Sequence, residues 1–169
     1  DGGVNLGAPV TVTAGQAQFS TNTLAVGSHT ITAVYSGDAS NAGSTTASGI
    51  TLMENPALTS AGVASNVNPS RFGQSVTFIA TISGGANPTG TVQFKDGAAN
   101  LGSPVTVTAG QAQLTTSNLS IGTHTIGAAY SGDANNAGAT AATISQQVRS
   151  AARADFDADG KSDILWRNA

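Results

Sequence analysis

The chain repeats itself. The stretch DGGVNLGAPVTVTAGQAQFSTNTLAVGSHT that starts at Asp1 returns at Asp96 as DGAANLGSPVTVTAGQAQLTTSNLSIGTHT, an offset of 95 residues, with about two positions in three identical. A 95-residue period is too long for a solenoid, whose repeats run about 20–50 residues. It is close to the roughly 100 residues of a single antiparallel β-sandwich. The repeat therefore sets both the size of the folding unit and its number.

Within one period the apolar residues alternate. Val76, Phe78, Ala80 and Ile82 share one face of Ser75–Ile82, and Val92 and Phe94 share one face of Thr91–Lys95. His124, Ile126, Ala128 and Tyr130 share a face of Thr123–Tyr130. A period of two residues is the signature of a half-buried strand. Pro104–Thr108 and Gln111–Thr115 flank Ala109-Gly110, which reads as a tight hairpin, and Ala141–Val148 reads as a weaker closing strand. Asp96-Gly97 and Ser131-Gly132-Asp133 read as turns. No stretch carries the 3.6-residue apolar spacing of a helix. About seven short strands per period are expected, and almost no helix.

The divisions follow from the repeat. Residues 1–52 match only the part of the period from Asp96 onward, 53–57 read as a linker, 58–148 hold one complete period, and 149–169 are a tail of different composition. The first copy lacks counterparts of Leu58–Lys95, which carry the opening strands. Half a sandwich exposes a core face and open strand edges. Two explanations stay open: the sequence is a piece of a longer protein, or another chain supplies the strands by strand addition, giving a filament or swapped dimer.

Composition narrows the partners. Charged residues make up 9% of the chain and the net charge is -3. Two Lys and four Arg are too few to neutralise a run of phosphates, so no nucleic-acid partner is expected. No apolar run approaches the ~20 residues that span a bilayer. With no Cys there is neither a disulfide nor a thiolate. Disorder is not expected, since it usually combines low hydrophobicity with high net charge.

The blocks PSRFGQSVTFIATI, PTGTVQFKDG, LGSPVTVTAGQAQL and LSIGTHTIGAAYSGDANNAGAT resemble the bacterial Ig-like domain repeats (group 3 type) of long secreted and surface-anchored proteins. The resemblance covers Leu58–Val148 and the partial copy in 1–52. It implies an all-β fold of tandem Ig-like β-sandwich repeats, the first incomplete, in a stalk, spacer, fibre or adhesive role. It also implies an extracellular or cell-surface location, with neighbouring repeats or other copies as partners. The family brings no catalytic residues to carry over.

The tail is a different element. Eight of the fifteen charged residues lie between Arg149 and Arg167. Asp155, Asp157 and Asp159 alternate ahead of Gly160, so three carboxylates converge if the chain turns at the glycine. Asp163 and the Lys161 carbonyl can complete an oxygen shell suited to Ca²⁺. Trp166 stands where an EF-hand has its bidentate Glu. DFDADGKSDILWRN instead resembles the opening of an FG-GAP or VCBS-type repeat, whose family implies calcium held by Asp155, Asp157, Asp159 and Asp163.

Candidate active residues are few. His29 and His124 are repeat mates on an inward strand face, which favours a role in the fold. A triad would need them paired with Asp38 or Asp133 and a serine, and no nucleophile-elbow pattern is present. Tyr35 and Tyr130 are expected at the core edge with hydroxyls on backbone, and Phe72 in packing. Loops 36–41 and 131–136 are the best binding-loop candidates. The expectation is a structural or adhesive module with no enzymatic activity. The alternatives are a carbohydrate- or surface-binding module and an accessory region of a secreted enzyme.

Overall fold

The computed structural model describes residues 1–150, and every regular element among them is a strand. The chain divides into two compact units, Asp1–Ala57 and Leu58–Ala169. The Asp-rich tail, with Asp155, Asp157, Asp159, Lys161, Asp163 and Trp166, lies outside the described residues.

Unit 1 contains β1 (Gly27–Ile31), β2 (Val34–Tyr35), β3 (Ser44–Thr45) and β4 (Ile50–Glu54). Unit 2 contains β5 (Thr59–Ser65), β6 (Ser70–Arg71), β7 (Val76–Gly84), β8 (Thr91–Asp96), β9 (Ala99–Asn100), β10 (Val105–Thr106), β11 (Gln111–Thr116), β12 (Gly122–Tyr130), β13 (Ala139–Thr140) and β14 (Ile144–Arg149).

Unit 2 is the expected sandwich. One sheet runs β11-β7-β5; the other runs β10-β8-β12-β14-β6, with β13 on β12 and β9 on β8. All pairings are antiparallel except β6 on β14. The first strand of the unit is thus shared: β5 belongs to one sheet, and after Asn66–Pro69 the chain joins the other as β6. Asn68 helps this switch, donating to the Ser145 carbonyl and accepting from the Gln147 amide.

The core follows the alternation. Val76, Phe78, Ala80 and Ile82 of β7, Val92 and Phe94 of β8, and Ile126, Ala128 and Tyr130 of β12 form one buried cluster with Val107, Ala112, Leu119, Ala141 and Val148. Each alternate position points outward, as a pleated strand requires. Fully burying a Val, Ile or Phe side chain is worth about 1.5–3 kcal/mol. This cluster is therefore the main reason unit 2 folds. Phe72 does not join it: the residue sits in the turn after β6 and is 56% exposed, contrary to the packing role expected for it.

The Ala109-Gly110 hairpin forms as read. Thr108 and Gln111 exchange both backbone hydrogen bonds, and both central residues have positive φ, +50° and +74°. That is the type I′ geometry whose twist matches its strands. Gly110 suits its φ of +74°, and a Cβ there would also sit tightly, 3.2 Å from the Ile82 carbonyl oxygen.

Unit 1 reproduces only part of this. Its β1·β4 and β2·β3 pairs repeat β12·β14 and β12·β13. The registers show one difference from a constant offset. Gly27 pairs with Glu54 while its mate Gly122 pairs with Val148, so unit 1 carries one extra residue between β3 and β4. Leu52 thereby takes the place of the buried Gln146.

Residues 1–26 form no extended strand, apart from a bridge between Thr13 and Gln16. The segment Pro9–Gln18 is identical to Pro104–Gln113, yet only the second copy contributes strands, β10 and the start of β11. In unit 2 these strands pair with β8 and β7, whose counterparts unit 1 does not contain. A strand without a partner leaves its backbone groups unpaired. The expectation that residues 1–52 copy the backbone of 96–147 therefore holds for β1–β4, for the Asp1-Gly2 contacts and for the Thr13–Gln16 turn, and fails for the strands that flank that turn in unit 2.

Candidate functional site

The polar residues repeated in both units gather at two places. The first is the inward-facing histidine. In unit 2, Asp96 ends β8 and His124 lies on the neighbouring β12. The His124 Nδ1 is 2.6 Å from Asp96 Oδ2, and its Nε2 is 2.9 Å from the Ser120 carbonyl oxygen. Both neighbours are acceptors, so two ring N–H groups are called for, and only the imidazolium has two. Burial works against the charge, while the Ser120 carbonyl and the Asp96 carboxylate favour it and prevail, so the pKa of His124 is raised. In unit 1 the arrangement recurs: His29 Nδ1 is 2.6 Å from Asp1 Oδ2 and Nε2 is 2.7 Å from the Ala25 carbonyl oxygen.

The partner is thus Asp96, or Asp1, and not the Asp133 or Asp38 that a triad was expected to need. Ser120 Oγ lies 3.5 Å from His124 Nε2, completing an Asp–His–Ser outline. Its chemistry is wrong for nucleophile activation. The Nε2 proton is held by a closer carbonyl, so that nitrogen has no lone pair to accept the serine proton. The mate of Ser120 is Ala25. The arrangement fastens the Asp-Gly turn after β8 to the next strand of the sheet. The pair was legible as two repeated polar residues 28 positions apart, one of them on an inward face.

The second place is the loop after Tyr130. Asp133 accepts from the Thr89 amide at 2.7 Å and the Thr89 hydroxyl at 2.9 Å. It also accepts from the Asn135 and Asn136 amides, the Asn136 side-chain amide and the Tyr130 hydroxyl. The Thr89 amide, the Asn136 side chain and the Asn135 amide foremost hold its pKa far below the usual carboxylate range. Burial first, then the bond to Asp133, raises the pKa of Tyr130. Asn136 is buried and bonds the Ala86 amide and carbonyl. Gly132 has a φ of +74°, and a Cβ there would meet the Asn136 carbonyl oxygen at 2.7 Å.

In unit 1, Asp38 accepts from the Tyr35 hydroxyl at 2.7 Å and the Ser40 and Asn41 amides at 2.8 and 2.9 Å. The Tyr35 hydroxyl foremost lowers the Asp38 pKa to about 2. Both tyrosine hydroxyls bond aspartate, not the backbone expected for them. Asp38 and Asn41 bond within their own turn, and Asp133 and Asn136 bond within theirs and to Thr89 and Ala86. Other surfaces offer little for chemistry. A shallow cleft of about 590 Å³, lined by residues 87–89 and 107–110, presents no titratable side chain. Among the described residues no three His, Cys, Asp or Glu side chains are placed to share a metal ion.

Unit 1 has one further feature, an open face. Val12 is 45% exposed where its mate Val107 is 5% exposed, and Phe19 is 50% exposed. Ala17 and Ala33 are exposed where Ala112 and Ala128 are buried, and Ile31 and Tyr35 are only half-buried where Ile126 and Tyr130 are buried. A groove lined by Leu6, Val10, Phe19 and Ile31 runs through this face.

The family comparison agrees with this architecture. The family model described as bacterial Ig-like domain (group 3) matches residues 1–53 and again 54–149. No curated protein matches the chain. Among solved structures, fibronectin(III)-like modules of Clostridium thermocellum CbhA are similar to it at 20% identity and a TM-score of 0.41, over 53% of this chain and 94% of that one. Two consecutive matches that together take in nearly all the described residues place the chain in the bacterial Ig-like domain (group 3) family.

Proposed function

We propose that the chain is a structural or adhesive module of a secreted or cell-surface protein, serving as stalk or spacer by repetition of one sandwich unit. One observation carries the reading. The polar groups kept in both copies, Asp1/Asp96 with His29/His124 and Tyr35/Tyr130 with Asp38/Asp133, are all committed to holding turns and strands of their own unit. A catalytic or ligand-binding module would leave some of them converging on a cavity. Family membership supports the same reading, since Ig-like modules serve mostly as scaffolds and any activity lies in sites grafted on them. The reading assigns the chain no reaction.

Electron microscopy of the native full-length protein tests this. Thin particles with beads repeating at a constant spacing are expected. Particles without a repeating bead would overturn the spacer role. A saturable glycan or surface ligand lost on changing residues 131–136 would favour a binding module instead.

A further inference from the structure

The two sheets of unit 2 end in four edge strands, β10 and β6 in one and β11 and β5 in the other. A bare edge offers its amides and carbonyls to any strand that arrives, so folded proteins usually shorten, charge or bend it. β10 and β6 are two residues long, and β6 ends on Arg71. β11 is tied at its start to the turn from β10 by the two Thr108–Gln111 bonds.

β5 has none of these devices. Its seven residues pair with β7 one for one, from Thr59 opposite Gly84 to Ser65 opposite Phe78, without a bulge. No charged residue lies between Leu58 and Ser70, and Pro69 stands beyond the strand. In an antiparallel pair every second residue turns its amide and carbonyl away from its neighbour. Among the described residues, the backbone of Thr59–Ser65 bonds no backbone but that of β7. Leu58, at the entry to this edge, is 86% exposed.

The occupant follows from the strand's own pattern, which reads alike from both ends. Ala61 and Val63 flank Gly62 on the inward side and pack on the core, while Ser60 and Ala64 flank it on the outward side. A second β5, antiparallel across a two-fold axis at Gly62, sets Ser60 against Ala64, Ala61 against Val63 and Thr59 against Ser65. Each pair shares a facing, and none opposes two charges or two bulky side chains. At Gly62 itself no atom lies within 4 Å of the place a Cβ would take. We infer that the free edge of β5 is the docking surface for β5 of a second copy of this chain, joining two three-stranded sheets into one. Such a pairing uses the same edge on both copies, so it closes at two. A ladder this short is at the small end of interfaces, and the association is reversible. The inference rests on the edge of unit 2 and not on the stalk role, so either can fail alone.

The test uses the full chain, which has no cysteine. Gly62→Cys puts a thiol on the axis, within disulfide reach of its mate. Ser60→Cys puts a thiol on the same outward side of the strand, but in the pair it faces residue 64 of the other copy and lies about 14 Å from its own mate, too far to bridge. With oxidised glutathione and millimolar protein, Gly62→Cys is expected to form linked dimer roughly 10-fold faster or more than Ser60→Cys, because pairing raises the local thiol concentration. Ser60→Cys mixed with Ala64→Cys is expected to give the mixed dimer at a rate close to that of Gly62→Cys. Equal rates for Gly62→Cys and Ser60→Cys would overturn the pairing, and so would a mixture no faster than Ser60→Cys alone. If Gly62→Cys lowers the unfolding temperature of the chain, the mixture decides by itself.

Discussion

The His124 ring sits between the Asp96 carboxylate and the Ser120 carbonyl, 2.6 and 2.9 Å away, so that both nitrogens face acceptors. This histidine holds its proton more tightly in the folded unit than in the unfolded chain. Its contribution to stability is fully present below the unfolded pKa of about 6.5 and is lost as pH rises through the higher folded value. Thermal unfolding of the unit is therefore expected at a lower temperature at pH 8.5 than at pH 6, and His124→Gln should flatten that slope. An NMR titration of the ring in which its pKa falls below that of a free histidine would contradict the assignment.

The aspartate loops carry the opposite sign. Asp38 and Asp133 have depressed pKa values, so their stabilisation is present above the ordinary carboxylate range and is lost as the solution is acidified. Asp133→Ala is expected to lower the unfolding midpoint of unit 2 and to reduce its acid sensitivity. Asp38→Ala should change much less, since Asp38 lacks the pair of donors that Thr89 gives Asp133. Equal effects from the two substitutions, followed by amide exchange resolved by unit, would show that the Thr89 contacts contribute nothing.

Core truncation should separate the units. Phe78 and Phe94 are fully buried, and replacing either with Ala is expected to cost about 3–5 kcal/mol. Denaturant unfolding should show the loss in unit 2, with the amides of β1 and β4 unaffected.

Ala109 holds a φ of +50°, where an L-residue with a Cβ costs about 1–2 kcal/mol. Asn tolerates that region and is favoured ahead of Gly in this turn. Ala109→Asn is expected to stabilise unit 2 by about 1 kcal/mol, read as a higher denaturant midpoint with an unchanged slope.

For the tail we propose calcium binding through Asp155, Asp157, Asp159 and Asp163 with the Lys161 carbonyl. Calorimetric titration of the full chain should give a saturable heat that Asp157→Ala plus Asp159→Ala abolishes. Matching flat traces from both proteins would remove the site.

Much of unit 2 was legible because its strands alternate cleanly. Val76 to Ile82 and Ile126 to Tyr130 point inward as the two-residue period demands. Less visible were β5 and β6. Thr59–Ser65 is mostly small residues half-covered by the opposite sheet, and two-residue β6 is recognised only by its parallel pairing with β14. Phe72 misled because an aromatic side chain beside a strand suggests burial, while the turn carries it outward. The Asp96–His124 bond joins residues on adjacent strands, so it follows from register, which alternation alone does not fix. The contrast between Val107 and Val12 shows the same limit: identical neighbours, but a partner strand present only once.

The segment Pro9–Gln18, identical to Pro104–Gln113, has a consequence for how such a chain reaches its native state. While β7 and β8 are still unclaimed, two indistinguishable stretches compete for them, one following closely in sequence and the other lying about 60–80 residues ahead of them. Proximity favours the nearer, because closing the shorter loop loses less entropy. The difference grows only slowly with length, so crossed pairing between adjoining repeats is a standing hazard of arrays whose members are this much alike.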